Sequence, residues 1–300
     1  MLIDIHVHCC EARDPRLRRA NGSRYPTPEE LIATMDVHGI DRALCMGGVC
    51  PECRYTVVPA EELLRIAARY PDRILPCCPI DPRWIGNSPK ADLRPLLRAY
   101  QDLGCRAVGE YTPNIPFDDP LNLNLFAQVE EVGLPLTFHV APQAGGCYGL
   151  VDEPGLPRLE KVLQAFPRLT FLGHSQPFWA EIAAMDDPAQ RAGYPKGPVR
   201  PGRLVDLFRR YPNLHGDLSA GSGFNAITRD PGFGIAFMEE FQDRLLFGTD
   251  VANVPQELPI VGHLAALHRE GRLSAAAWEK ITWRNADRVL RLGLPNSGRW

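Results

Sequence analysis

Leu2-Ile3-Asp4-Ile5-His6-Val7-His8 is the stretch whose reading decides the fold. It is a short run, apolar at most positions, that ends in two histidines. In an extended chain, alternation puts His6 and His8 on one face, about 7 Å apart along the strand. Seven further runs of the same kind follow: Ile40–Met46, Ile74–Ile80, Cys105–Tyr111, Leu134–Val140, Leu169–Gly173, Leu214–Leu218 and Leu245–Thr249. Most are apolar on both alternating faces, as strands covered on both sides must be.

Helix patterns with defined ends separate these runs. Thr27-Pro28-Glu29-Glu30 is a capping box with proline at the first helical position, and the pattern it opens stops at Gly39. Glycine also stops the helices near Gly104 and Gly133. Strands alternating with helices predict an α/β fold, a (β/α)8 TIM barrel. An open doubly wound sheet is the alternative, but no G-x-G-x-x-G follows a strand. Helix-to-strand connections are short. Strand-to-helix connections are long: 9–27, 47–58, 81–91, 112–120, 142–155, 174–201 and 219–233. The long ones leave the C-terminal ends of strands, where barrel enzymes build their sites. Gln176–Gly202 is expected to be irregular, a lid or a partner surface. Ser274–Leu292 is expected to form a long C-terminal helix capped by Ser274.

The totals fit one barrel domain over residues 1–300. Of 300 residues, 45% are hydrophobic and 23% charged, an ordinary globular composition. With 33 basic and 36 acidic residues the formal charge is −3, which gives no electrostatic case for nucleic acid or an anionic membrane. No apolar run is long enough for a span and no leader pattern opens the chain, so a cytoplasmic protein is expected. Nine cysteines cannot all pair within the chain, and reduced thiols are expected.

Ionisable residues recur where apolar runs end. Glu110 ends the fourth run, His139 the fifth, His174 the sixth and Asp250 the eighth. A buried ionisable group is costly unless paired or metal-bound. One such residue usually makes a structural hydrogen bond. With His6 and His8, six converging on one mouth point to a cation.

At this point the chain resembles the amidohydrolase superfamily, in its amidohydrolase-2 (aminocarboxymuconate-semialdehyde decarboxylase-like) branch. The likeness covers nearly the whole chain. It is carried by His6-x-His8, Pro28-Glu29-Glu30-Leu31, Gly133-Leu134-Pro135 leading to His139, Gly173-His174, Asp217-Leu218-Ser219, Leu246-Phe247-Gly248-Thr249-Asp250 and Ile281-Thr282-Trp283-Arg284-Asn285-Ala286. The resemblance implies metal ligation by His6, His8, His139 and Asp250, and relatives suggest a homodimer. Glu110 departs from the branch's usual pattern and is similar to the bridging glutamate of TatD-type hydrolases. If it bridges, His139 and His174 hold a second metal; otherwise one metal is bound and His174 is free for proton transfer. A mixed nitrogen and oxygen donor set suits Zn²⁺ best, with Mn²⁺ as the alternative.

Three functions are weighed. The first is a metal-dependent hydrolase of a small molecule, cleaving a C–N or C–O bond of an amide, lactone or ester. Asp250 takes the water's proton, and His174 holds metal or stabilises the oxyanion. The second is a non-oxidative decarboxylase of an aromatic or unsaturated acid, with His174 or Asp250 as proton donor and Arg13, Arg16, Arg18 and Arg19 gripping carboxylates. The third is a non-catalytic metal-binding barrel.

Asn114, Gln176, Phe178 and Trp179 are expected to line the substrate pocket. The plainer readings are a turn cap for Asn114 and lid anchors for Phe178 and Trp179. Asp217 is expected to bond backbone groups, and His215 sits at the wrong end of its strand for chemistry. His263 and His268 read as surface residues. Ser219–Gly223 reads as a flexible loop. Cys50-Pro51-Glu52-Cys53 is half of a zinc pair with no second half.

Overall fold

Ile3–Val7 folds as β1, with all five residues buried. The computed structural model describes residues 1–11, 16, 22–52 and 56–295. The other strands are β2 (Arg42–Cys45), β3 (Ile74–Pro76), β4 (Val108–Tyr111), β5 (Leu136–Ala141), β6 (Leu150–Val151), β7 (Phe171–His174), β8 (Leu214–Asp217) and β9 (Leu245–Leu246). All pairings are parallel, in the orders β1-β2-β3 and β4-β5-β7-β8-β9. Backbone hydrogen bonds join the two sets. Cys78 N donates to Ala107 O at 2.8 Å and Arg106 N to Pro76 O at 2.9 Å. On the other side, Ile5 N donates to Phe247 O at 3.0 Å, Asp250 N to His6 O at 2.8 Å and His8 N to Val251 O at 2.7 Å. The eight apolar runs therefore supply the eight strands of a TIM barrel. β6 is an addition inside the connection after β5, pairing with Val140 and Ala141.

Helices cover the outside. The Thr27 hydroxyl accepts from Glu30 N while the Glu30 carboxylate accepts from Thr27 N, and Gly39 ends the helix at φ 66°. Phe126, Phe171, Phe138 and Phe178 fill the layer beneath the helices in edge-to-face contacts.

Two connections expected to be irregular carry structure. After β7 lie a helix, Gln176–Ala180, and a 3₁₀ turn, Pro188–Ala192. After β8 lie helices Ala220–Thr228 and Pro231–Glu240. The C-terminal helix starts at the Ser274 cap as expected, but Lys280–Arg284 widens into a π turn. That turn lets the Ile281 carbonyl accept from Phe247 N at 2.8 Å, docking the helix on the last strand. Among the described residues, eight cysteines have free thiols and no helix is long and apolar enough to cross a membrane.

Candidate metal centre

β1 presents His6 and His8 at the C-terminal mouth of the barrel. Each ring is fixed by its Nδ1. That of His6 lies 2.6 Å from Asp217 Oδ2, and that of His8 lies 3.2 Å from the Met46 carbonyl. A carboxylate and a carbonyl accept, so both Nδ1 atoms carry a proton and both Nε2 atoms point into the mouth. The two Nε2 atoms face each other at 3.2 Å. A pair so placed needs a positive centre between them, a shared proton or a metal cation.

Carboxylates complete the group. Asp250 Oδ1 is 3.7 Å from His6 Nε2 and 3.4 Å from His8 Nε2, and Glu110 Oε2 is 3.6 Å from His8 Nε2. A tetrahedral cation with bonds of about 2.1 Å spaces its donors by about 3.4 Å, so these separations fit one. The other Glu110 oxygen lies 2.9 Å from His139 Nδ1. His139 and His174 are register partners on β5 and β7. Donor atoms of Glu110, His139 and His174 lie within 4.8 Å of one another, forming a second potential nest beside the first. His174 Nδ1 is in turn 2.9 Å from Ser219 Oγ and 3.5 Å from Asp217 Oδ2.

The electrostatics favour positive charge here. Burial disfavours the His6 cation, but Asp217, Asp250 and Glu110 outweigh it and hold the ring's pKa up at about 10. Burial also opposes ionisation of Asp250, yet the hydrogen bond from His8 and the surrounding imidazoles hold it well below the usual carboxylate range. His174 is pushed down to about 4 by burial and by the charge on His6. Beneath the mouth, Asp4 Oδ1 accepts from His6 N and Thr249 N, both at 3.0 Å, tying β1 to the segment that carries Asp250.

A family model described as amidohydrolase matches residues 3–292. The chain belongs to the amidohydrolase-2 family. An uncharacterised TIM-barrel protein from Bordetella bronchiseptica is similar to this amidohydrolase at 22% identity and TM-score 0.64, covering 97% of this chain and 98% of its own. An amidohydrolase from Burkholderia multivorans with bound zinc is similar at 17% and 0.61, covering 98% and 100%. A dihydroxybenzoic acid decarboxylase from Polaromonas with bound manganese is similar at 16% and 0.58, covering 100% and 99%. At these identities the likeness shows the fold. The search of curated proteins found no match.

The amidohydrolase barrel thus brings His6, His8, Glu110, His139, His174 and Asp250 to one mouth. Two of the expected pocket residues, Phe178 and Trp179, lie behind the strands. Phe178 is wholly buried, its ring filling the space where a Cβ on Gly173 would come within 2.2 Å. Trp179 is buried too, and its indole donates to Asp217 O at 2.9 Å. Both brace the strands from behind rather than lining the pocket. Asn114 spends its amide on the loop after β5, donating to Gln143 O and Gly149 O at 3.1 and 3.2 Å. Gln176 donates to the Tyr194 hydroxyl at 3.2 Å. Arg16 is exposed, while Arg13, Arg18, Arg19 and Cys53 lie outside the described residues. His263 and His268 are half-buried rather than on the surface, the latter stacked on Trp278 at 5.0 Å. Asp217 bonds His6 as well as backbone, and Ser219 begins a helix instead of a flexible loop. Asp217 carried the same signal as the others, a polar residue closing an apolar run.

Proposed function

We propose that this protein is a metal-dependent hydrolase of a small molecule, cleaving an amide, lactone or ester bond. The observation that carries this reading is the double contact of Glu110: one oxygen faces His8 and the other faces His139. A carboxylate so divided serves two adjacent donor sets. His6, His8 and Asp250 with Glu110 Oε2 would hold one cation, and Glu110 Oε1 with His139 and His174 a second. The mixed donor set favours zinc, with manganese as the alternative, in keeping with the zinc and manganese of the Burkholderia and Polaromonas structures.

Bound there, a divalent cation supplies Lewis acidity, polarising a carbonyl and lowering the pKa of water from about 15.7 toward 7. The chain's own residues do the rest. Asp250, whose side chain is 26% exposed against 0% and 5% for His6 and His8, is the donor most open to the mouth. It takes the proton of the attacking water and returns it to the leaving nitrogen or oxygen. Asp217 and Met46 keep both histidines in the tautomer that leaves Nε2 bare.

Two metal equivalents per chain are expected by elemental analysis, falling to one in Glu110→Gln. Hydrolysis in ¹⁸O-water should place one labelled oxygen in the carboxylate product, and Asp250→Asn should abolish turnover. One equivalent in both proteins, or full activity of the metal-loaded Asp250→Asn variant, sinks the reading. The Polaromonas neighbour favours a second reading, non-oxidative decarboxylation at a single cation with His174 as proton donor. Release of CO₂ without solvent oxygen in the product decides for it.

A further inference from the structure

We propose that Gln256 is a positioning residue that sets the backbone of Asp250 at the metal centre. The inference rests on the reading of Asp250 as a ligand. Asp250 is held at φ 55°, a left-handed conformation that is uncommon for a residue with a side chain, though Asp adopts it more readily than most. Its N–H donates to His6 O at 2.8 Å, which fixes one side of the residue. On the other side Val251 O accepts from His8 N at 2.7 Å, and the Asp250 carbonyl itself is held by a side chain six positions on. Gln256 Nε2 donates to the Asp250 carbonyl at 2.8 Å. Its Oε1 accepts from Ala252 N at 2.9 Å, Asn253 N at 3.1 Å and Asn253 Nδ2 at 3.2 Å.

The chemistry selects glutamine. The turn offers three donors and one acceptor, and a primary amide answers both. Glutamate answers only the donors, and methionine answers neither. Gln256 also borders a cavity of about 230 Å³ that separates this loop from Ala220, Gly221 and Phe224. Releasing the Asp250 carbonyl lets the backbone relax toward an ordinary conformation and swings the carboxylate away from His6 and His8.

The test measures zinc affinity, by competition with a chromophoric chelator, and the Tm of the metal-free protein. The proteins compared are wild type, D250N, Q256M and Q256E. Q256M should bind zinc about 10- to 100-fold more weakly, in the range of other residues that orient ligands from behind. Q256E keeps the acceptor but sets a carboxylate oxygen against the Asp250 carbonyl in place of the donor, so it too should bind zinc more weakly than wild type. Should Q256M fail to fold, Q256E alone carries the comparison. Wild-type affinity in the Gln256 variants, with or without a lowered Tm, while D250N binds weakly, overturns the positioning role and leaves the ligand reading intact. Wild-type affinity in D250N overturns the ligand reading itself.

Discussion

His6 is fixed at Nδ1 by Asp217, and its Nε2 faces that of His8 at 3.2 Å. Asp217→Asn tests the first of these. The amide keeps the size but gives up the charge and one acceptor, so His6 loses its fixed tautomer. Metal affinity should drop by about 10- to 100-fold with little change in the fold. Isothermal titration with zinc would show it, and an unchanged affinity would mean that His6 is oriented by packing alone. At this scale the sequence is readable where residue type and strand position coincide. His8, Glu110, His139 and Asp250 each close an apolar run, and they converge. What it hides is partnership. Asp217 and His6 are 211 positions apart, and nothing local says that one holds the other. Phe178 and Trp179 mislead for the same reason. They follow His174 in the chain, yet the helix Gln176–Ala180 turns them back under the strands.

The elements between strands are harder to read than the strands. Ala220–Thr228 contains Gly221 and Gly223, poor helix formers, and so looks like a loop. A Cβ at Gly223 would lie 2.3 Å from Leu218 O, so the close seating of this helix requires the glycine that disguises it. The stretch after β7 shows how such an element is fastened. Arg191 is 2% exposed, its Nε 2.9 Å from Glu181 Oε1 and its Nη1 donating to Asp152 O at 2.6 Å. Removing one partner of a buried pair leaves the other uncompensated, at a cost of about 3–5 kcal/mol. Arg191→Met should therefore loosen residues 184–201 and open the Lys196–Gly197 bond to trypsin under native conditions. A wild-type digestion pattern would assign the fastening to the Ala183–Pro201 bridge instead.

Across the whole molecule, the alternation of apolar runs and capped helices sufficed for the barrel, because each strand is buried on both faces. Stability against acid is a property of the same burial. His215 is buried, with 4% exposure. Burial, aided by Arg288, pushes its pKa down to about 3 from 6.5. Below pH 6.5 the unfolded chain takes up a proton that the folded chain refuses, so this residue costs stability increasingly as the pH falls toward 3. At about 1.4 kcal/mol per pH unit, wild type should lose about 2 kcal/mol relative to His215→Leu between pH 7 and 5. Urea unfolding at both pH values would measure the difference, and parallel losses would show that the imidazole is not protonated on unfolding in that range.

The contact between the first and last strands has a bearing on biosynthesis. β1 leaves the ribosome before the other strands, but the residues that bond its free edge, Phe247 to Val251, follow only about 240 positions later. At roughly 5–20 residues per second, that edge waits on the order of ten to fifty seconds for its neighbour. During the wait it is an open template for pairing with another nascent chain. Asp250 arrives with the same segment, so the full donor set comes into being only when the ring shuts. A chain released before the last strand is made would carry the two histidines of β1 without Asp250.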